Sequence, residues 1–104
     1  MRYTPVTAEE FARMTGVADW QLIDGVLHAD FRAGTFPAAA DLVPAIGRAA
    51  EALDHHPDID VRYPDHVHVR LTTHATGGLT THDTDLARII SALAADAGAH
   101  TEQK

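Results

Sequence analysis

The chain has no cysteine among its 104 residues, so disulfides, thiolate nucleophiles and cysteine-based zinc sites are excluded. Basic residues are also few: eight Lys and Arg against fifteen Asp and Glu give a formal net charge of −7. An acidic surface repels phosphate backbones, so we expect no direct contact with nucleic acid. No apolar run approaches the roughly 18 residues that span a bilayer, so we expect no membrane role. The first residues contain no apolar signal region, which predicts a cytoplasmic location.

Two common catalytic devices are missing as well. The single serine, Ser91, lies inside a predicted helix without an elbow-like sequence around it, which argues against Ser-His-Asp catalysis. The Gly77-Gly78 pair is not followed by Lys-Ser or Lys-Thr, so it is not a phosphate-binding loop. Histidine, in contrast, is abundant, with eight residues. It titrates near neutral pH and is the commonest metal ligand, so the positions of the histidines carry the functional question.

The spacing of apolar and capping residues predicts three helices. A Thr-x-x-Glu capping box predicts a helix over residues 7–15. A long apolar stripe predicts a second helix over residues 35–53, with a bend near Val43 because an interior proline follows it. Thr80 and Asp83 are placed to cap a third helix with a regular apolar face. The tail beyond that helix is predicted to be frayed.

Alternating apolar and polar residues predict two β-hairpins. The first spans residues 19–32 around an Asp24-Gly25 turn, and the second spans residues 59–72 around a Pro64-Asp65 turn. The element order is therefore αββαββα. This order favours an α+β fold with one four-stranded antiparallel sheet and three helices on one face. The chain length corresponds to a single domain over residues 1–104.

The strongest candidate for chemistry is a group of histidines with acidic neighbours. Glu51 and His55 are four residues apart and would share a face at a helix end, where the carboxylate can orient the imidazole. Asp54 can do the same for His56. His74 ends the last strand, and an antiparallel hairpin returns it to the region where the other two histidines enter. Three converging imidazoles suit proton transfer at neutral pH, such as a dehydration that needs neither a nucleophile nor a metal.

Two other interpretations of the same histidines remain open at this stage. A histidine pair before Pro57 can simply cap the C-terminus of a helix, where donors and cations are favoured. Alternatively, His66 and His68 lie on one face of a strand with the same parity as His74, and neutral imidazoles suit zinc. The metal motifs that add a carboxylate, such as H-E-x-x-H, are absent.

The segment from Glu51 to Ala87 resembles the pterin-4a-carbinolamine dehydratase family. The family pattern is a glutamate, three residues, two histidines and a proline, then an aromatic residue, a Thr-His pair, a Gly-Leu-Thr turn and an aspartate. In this chain those positions are Glu51, His55-His56-Pro57, Tyr63, Thr73-His74, Gly78-Leu79-Thr80 and Asp83. The resemblance extends upstream to Trp20 before the first hairpin turn and to Phe36 at the start of the long helix.

The resemblance implies a function and a set of roles. The family removes water from 4a-hydroxytetrahydropterin to give the quinonoid dihydropterin, without a cofactor or metal, and forms homodimers or homotetramers. By carry-over, His55 and His74 are the acid–base pair and His56 positions the substrate. The residues implied to bind the substrate or orient the imidazoles are Glu51, Asp54, Pro57, Trp20, His82 and Asp83.

The sequence departs from the family at two positions near the histidines. Ala75 stands where many relatives carry an acidic residue, and His82 stands where relatives often carry an arginine. A second function also fits the same fold: a non-catalytic binding or assembly module, like relatives that act as dimerisation cofactors of transcription factors or as assembly factors. The complete set of three histidines favours the enzyme, because a scaffold does not need three imidazoles.

Overall fold

Two β-hairpins, each followed by a long helix, build the molecule, as seen in a computed structural model that describes residues 3–102. In chain order the elements are α1 (Ala8–Ala12), β1 (Gln21–Ile23), β2 (Val26–Arg32), α2 (Phe36–Leu53), β3 (Asp58–Arg62), β4 (His66–Leu71), α3 (Thr81–Asp96) and β5 (His100–Thr101). The predicted α+β class and the order of the first seven elements are confirmed.

The helix starts follow the predicted caps. The Thr7 hydroxyl accepts the Glu10 N–H at 3.0 Å, and the Glu10 carboxylate accepts the Thr7 N–H at 2.9 Å, which is a complete capping box. This helix ends at Ala12, earlier than predicted, and the N–H of the capping residue Arg13 bonds to the Glu10 carbonyl three residues back rather than four. The second helix begins after its cap Thr35 and continues to Leu53, with a proline inside it. Its bounds agree with the predicted range of 35–53.

The sheet is antiparallel with the strand order β1-β2-β4-β3. Asp24 and Gly25 both have positive φ, 50° and 79°, which is the two-residue hairpin turn predicted between β1 and β2. The two central strands, β2 and β4, pair from Leu27 opposite Leu71 to Arg32 opposite His66. The sheet therefore joins the two hairpins through their longest strands.

The prediction of a frayed tail is wrong for two residues. His100 and Thr101 form β5, which pairs with Arg32 and Phe31 at the end of β2. The pairing joins residues about seventy positions apart, and two residues carry too little alternation to reveal a strand. The sheet thus gains a short fifth strand beyond the four that were predicted.

The two faces of the sheet differ in chemistry. On one face the alternate residues of β2 and β4 are buried and pack with α2 and α3 in a single apolar core. Its largest fully buried side chains include Phe31, Leu27, Ile46, Leu71, Leu86 and Ile90. The opposite face carries the polar residues of the same strands, which are half-buried or exposed. The helices thus lie on one side of the sheet, as predicted.

Polar groups hold the ends of the elements together. The Asp65 carboxylate, in the β3–β4 turn, accepts hydrogen bonds from the Arg32 guanidinium and the Gly34 N–H, both at 2.8 Å. These donors hold the pKa of Asp65 below its usual value, because they stabilise the ionised carboxylate. Within the described residues, no helix combines the length and apolar character needed to cross a membrane.

Candidate active site

His55 enters the interior because α2 stops immediately before it. Asp54 adopts a left-handed conformation with φ 51° and ψ 44°, and the N–H of His55 bonds back to the Ala50 carbonyl at 3.0 Å. This is a hydrogen-bonded helix C-terminus, and it turns the chain out of the helical path. The His55 side chain is consequently only 8% exposed.

A buried carboxylate receives the His55 ring. Nε2 of His55 lies 2.5 Å from Oδ1 of Asp83, whose side chain is 0% exposed. The other oxygen of Asp83 accepts the Thr73 hydroxyl at 2.8 Å and the Thr80 N–H at 2.9 Å. A 2.8 Å hydrogen bond also joins the Thr73 and Thr80 hydroxyls. Both carboxylate oxygens are therefore satisfied, as a buried charge requires.

The hydrogen-bond pattern assigns the His55 tautomer. An ionised carboxylate only accepts, so Nε2 of His55 carries the hydrogen and donates it to Asp83. Nδ1 then holds the lone pair, and it has no hydrogen-bond partner among the described residues. Nδ1 of His55 is not among the buried side-chain nitrogens and oxygens of residues 3–102 that lack a partner. The site thus presents an oriented imidazole whose charged form Asp83 can stabilise.

The predicted pairing of acids with imidazoles is wrong in its details. Glu51 contacts His56 rather than His55, with Oε1 and Nε2 2.8 Å apart, and both side chains are exposed, 81% and 58%. Asp54 forms the left-handed helix cap instead of orienting His56. The prediction assumed that Glu51 and His55 share a face at the helix end, but the helix ends at Leu53, as predicted, and the left-handed Asp54 turns His55 away from the i, i+4 position.

Backbone geometry brings His74 next to this network. Thr73 forms an isolated antiparallel bridge with Gly78, and its hydroxyl contacts Asp83. His74 follows at once, in a tight turn in which Gly77 donates to the carbonyls of Thr73 and His74. Its side chain is exposed and makes no polar contact with the described residues. His74 is therefore an exposed residue that directly follows Thr73, whose hydroxyl donates to the Asp83 carboxylate.

The remaining predicted residues fall in different places. The His82 ring lies against the His55 ring, with centroids 5.6 Å apart, and Pro57 is half-buried between the histidine pair and β3. Trp20 is buried in the core, where its indole N–H donates to the Ala87 carbonyl and the Ser91 hydroxyl of α3. Its polar and ring contacts include none of the three histidines, so these contacts assign it to packing.

Sequence reasoning missed the role of two residues. Thr73 and Thr80 hold the Asp83 carboxylate that orients His55, but of these three residues only Asp83 was expected in the site. The signal was present in part, because Thr80 and Asp83 were predicted to cap α3. The cap is real, since Asp83 accepts the Thr80 N–H, and the same carboxylate has a second oxygen for His55.

A second group of histidines lies on the open face of the sheet and is named here the sheet-face cluster: His28, Asp30, His66 and His68. Nδ1 of His28 is 3.2 Å from Nε2 of His68, and His66 lies 3.2 Å from the Asp30 carboxylate. Burial, together with the nearby charges of His68 and Arg70, lowers the pKa of His28. Hollows of about 230 Å³ and 440 Å³ adjoin this cluster rather than His55.

The metal interpretation gains no support from this arrangement. In the part of the chain that the structure describes, no three or more His, Asp or Glu side chains are grouped so that they could hold a metal ion. His66 pairs with Asp30 and His68 faces His28, while His74 stands in the turn that follows β4. Of the three histidines that share parity along the sequence, His66 and His68 thus have separate partners, and His74 lies in a different segment.

Comparisons with known proteins agree on one family. The family model for pterin 4 alpha carbinolamine dehydratase matches residues 4–93. A protein of Chloroflexus aurantiacus, 47% identical over 72 residues, covers 69% of this chain and 76% of its own length. One of Nocardia farcinica, 46% identical over 76 residues, covers 73% and 79%. Both bear the name "Putative pterin-4-alpha-carbinolamine dehydratase".

A solved structure extends the comparison to the fold. The crystal structure of a transcriptional coactivator/pterin dehydratase from Brucella melitensis superposes with a TM-score of 0.77 at 29% identity. The match covers 86% of this chain and 97% of that one. The similarity therefore extends over most of the fold.

Proposed function

The chain belongs to the pterin 4 alpha carbinolamine dehydratase family, and from this premise we propose that it dehydrates 4a-hydroxytetrahydropterin to the quinonoid dihydropterin. The observation that carries the proposal is the buried contact between His55 and Asp83, the same carboxylate that accepts the hydroxyl of Thr73, one residue before His74. The arrangement supports proton transfer by an oriented imidazole, which is the chemistry that this dehydration needs.

The reaction divides into two proton transfers. The bond between C4a and the hydroxyl oxygen breaks as a proton is added to the oxygen, which leaves as water. The proton on the neighbouring ring nitrogen is removed, and a carbon–nitrogen double bond forms. We assign removal of the nitrogen proton to Nδ1 of His55, because the Asp83 carboxylate stabilises the imidazolium that results. His74, exposed at the rim, supplies the proton to the leaving hydroxyl.

His56 has a different part in this proposal. Its Nε2 contacts the Glu51 carboxylate in an exposed pair, which fixes the ring without burying it. We assign His56 to positioning the substrate. Exposed pairs contribute little to stability, about 0–1 kcal/mol, so the pair is better explained by orientation than by folding.

A coupled assay tests the reaction. A tetrahydropterin-dependent hydroxylase generates the 4a-carbinolamine, and its ultraviolet decay is followed with and without this protein. We expect a clear acceleration that His55→Gln and His74→Gln each reduce by about 10²–10⁴-fold, the usual contribution of a general acid or base. His56→Gln should mainly raise KM.

The matched control is His28→Gln, which changes a histidine of the sheet-face cluster and should leave the rate unchanged. Equal rates for all three active-site variants and the control would contradict the assignment. No acceleration by the folded protein in excess would remove the proposed enzyme activity itself.

The second candidate function is a binding or assembly role on the same fold. It is favoured by the name of the Brucella melitensis protein, which joins a coactivator with a dehydratase. We also propose that the single-domain chain forms a homodimer or homotetramer, which light scattering during gel filtration would test. A folded protein that binds pterin but does not accelerate the decay would favour this second candidate.

A further inference from the structure

Three side-chain rings pack against one another beside the candidate active site. The Tyr3 ring meets the His82 ring edge-on, with centroids 4.9 Å apart and an interplanar angle of 63°. The His82 ring in turn lies 5.6 Å from the His55 ring and is tilted by 46° against it. Ring pairs favour such edge-on and tilted arrangements at centroid distances of about 4.5–7 Å. The row of rings thus leads from Tyr3 to the imidazole that Asp83 holds.

Backbone contacts fix the segment that carries Tyr3. The carbonyl of the next residue, Thr4, accepts the N–H of Thr81 at 3.0 Å. The residue after that, Pro5, forms an isolated antiparallel bridge with Thr80. These contacts join the segment to the residues at the start of α3. The Tyr3 ring is therefore held at that helix start by its own backbone.

The His55 ring needs a second contact to fix its plane. Its Nε2 meets the buried carboxylate of Asp83, and a contact at one atom leaves the ring free to pivot about that atom. The His82 ring lies against it and limits the pivot. Nδ1 of His82 is buried and makes no hydrogen bond with the described residues. Packing against Tyr3, rather than a hydrogen bond at that atom, therefore supports the His82 ring.

We propose that Tyr3 is a positioning residue for His55. Its ring supports the His82 ring, which fixes the plane of the His55 imidazole and so the direction in which its Nδ1 points. The inference rests on the proposed dehydratase function, in which Nδ1 removes a proton from the substrate. The family model matches residues 4–93, so Tyr3 lies outside the part of the chain to which the family match applies.

Two replacements of Tyr3 separate the ring from its hydroxyl. Tyr3→Phe keeps the ring, whereas Tyr3→Leu removes the edge that faces His82. We expect Tyr3→Leu to lower kcat about twofold to tenfold, the range for one lost aromatic contact, with KM within about twofold. KM is spared because Tyr3 acts through the two histidines rather than on the substrate. Tyr3→Phe should remain near the unaltered protein.

The matched control is Phe11→Leu, which makes the same kind of change elsewhere in the N-terminal part of the chain. Phe11 is partly buried and packs against the apolar core. Its replacement should lower the free energy of unfolding and leave kcat unchanged. An equal loss of kcat in Phe11→Leu and Tyr3→Leu would reduce the effect to general destabilisation and overturn the inference.

Proton NMR gives a readout that does not depend on turnover. The hydrogen that Nε2 of His55 donates to the Asp83 carboxylate should give a signal downfield of the amides, and its exchange with water reports how firmly the pair is held. We expect this exchange to be about twofold to tenfold faster in Tyr3→Leu and unchanged in Tyr3→Phe and Phe11→Leu. If Tyr3→Leu does not fold, Tyr3→Met takes its place with the same expectations.

The possible outcomes separate this inference from the proposed reaction. Equal kcat and equal exchange in Tyr3→Leu and Phe11→Leu would overturn the inference and leave the dehydratase intact. Faster exchange in Tyr3→Leu with an unchanged kcat would also overturn it, because the ring would then move without consequence for the reaction. If the folded protein does not accelerate the reaction, the dehydratase is overturned. The exchange rates then still decide whether Tyr3 positions His55.

Discussion

Two regions of the molecule contain a histidine ring in a close polar contact: the pair of His55 and Asp83, and the sheet-face cluster. The chemical type of the partner differs between them. Nε2 of His55 meets a fully buried carboxylate, whereas Nδ1 of His28 meets another imidazole, Nε2 of His68. A carboxylate stabilises a protonated ring, and two facing imidazoles cannot both be protonated without repulsion. The partner of a histidine, rather than the number of histidines nearby, therefore distinguishes a site suited to acid–base chemistry.

The two regions also differ in how they are built. Asp83 is held by Thr73 and Thr80 from separate segments, so the orientation of His55 depends on three parts of the chain. The contacts of the sheet-face cluster are set by the register of β2 against β4, where Asp30 lies opposite His68. Removing one residue should accordingly disturb the first region more than the second.

Apart from the changes to the histidines themselves, the largest expected effect comes from Asp83→Asn. An amide can donate to the His55 ring, which would move the ring hydrogen to Nδ1 and remove the oriented lone pair. We expect dehydratase activity to fall by about 10²–10³-fold. The free energy of unfolding should fall by about 1–3 kcal/mol, because a buried network loses a partner.

The control for this change is Asp85→Asn, two residues later on the exposed surface of the same helix. It should leave dehydratase activity unchanged and should change the free energy of unfolding by no more than about 0.5 kcal/mol, as expected for a surface substitution. Activity of Asp83→Asn close to that of Asp85→Asn would abolish the distinction between the two regions.

A smaller effect is expected from Thr73→Val, which keeps the shape and removes the hydroxyl. The Asp83 and Thr80 side chains each lose a partner, so the free energy of unfolding should fall by about 1–3 kcal/mol in urea titrations. Activity should fall by roughly tenfold or less, since Thr80 still holds the carboxylate through its N–H. Thr72→Val, which removes a single bond to the Gly25 carbonyl, should retain activity.

A still smaller effect is expected from Glu51→Gln. Glu51 and His56 form an exposed pair, so its loss should change the free energy of unfolding by at most about 1 kcal/mol. The proposed role of His56 predicts a higher KM with little change in kcat. Added salt should reproduce part of that KM change in the unaltered protein, because exposed charges are screened. A large fall in kcat would instead place His56 in the chemical step.

The smallest effect is expected in the sheet-face cluster and appears only as a pH dependence. The pKa of His28 is lowered in the folded protein, first by burial and then by His68 and Arg70. The unfolded chain therefore binds the proton more readily. The contribution of His28 to the free energy of unfolding is complete above about pH 6.5, the pKa of the unfolded chain. It is lost as the pH falls through the lower pKa of the folded protein.

Urea unfolding of the unaltered protein and of His28→Gln across this pH range measures the difference. The variant should lose less stability on acidification. An identical slope for the two proteins would show that the facing imidazoles do not act on each other. The dehydratase rate at neutral pH should be the same in both proteins, so that an effect of His28 on stability is distinguished from an effect on the His55 site.

Much of the fold followed from local patterns. The caps at Thr7 and Thr35, the turn at Asp24-Gly25 and the alternation along β2 and β4 predicted the elements, because each depends on neighbouring residues. The early end of α1 was missed because a short helix lacks a strong terminal signal. The β5 strand was missed because its pairing is entirely long-range.

The sequence also supplied the candidate histidines through their family pattern, with the acids that accompany them. It assigned Glu51 to His55 by helical spacing, and that assignment failed where a left-handed Asp54 ended the helix. Asp83 was expected both as a cap of α3 and, through the resemblance, as a site residue, but not as the partner of His55, and Thr73 was given no role of its own.

The sequence by itself determined the element order, the apolar face of the sheet and which side chains were available for proton transfer, because these follow from residue type and short spacing. Only the tertiary structure decided which partner the rings of His55 and His28 meet. Those choices depend on contacts between segments that are about thirty residues or more apart, such as His55 with Asp83 and Tyr3 with His82. Burial and hydrogen-bond geometry fix such contacts, and neither quantity is a property of a linear spacing.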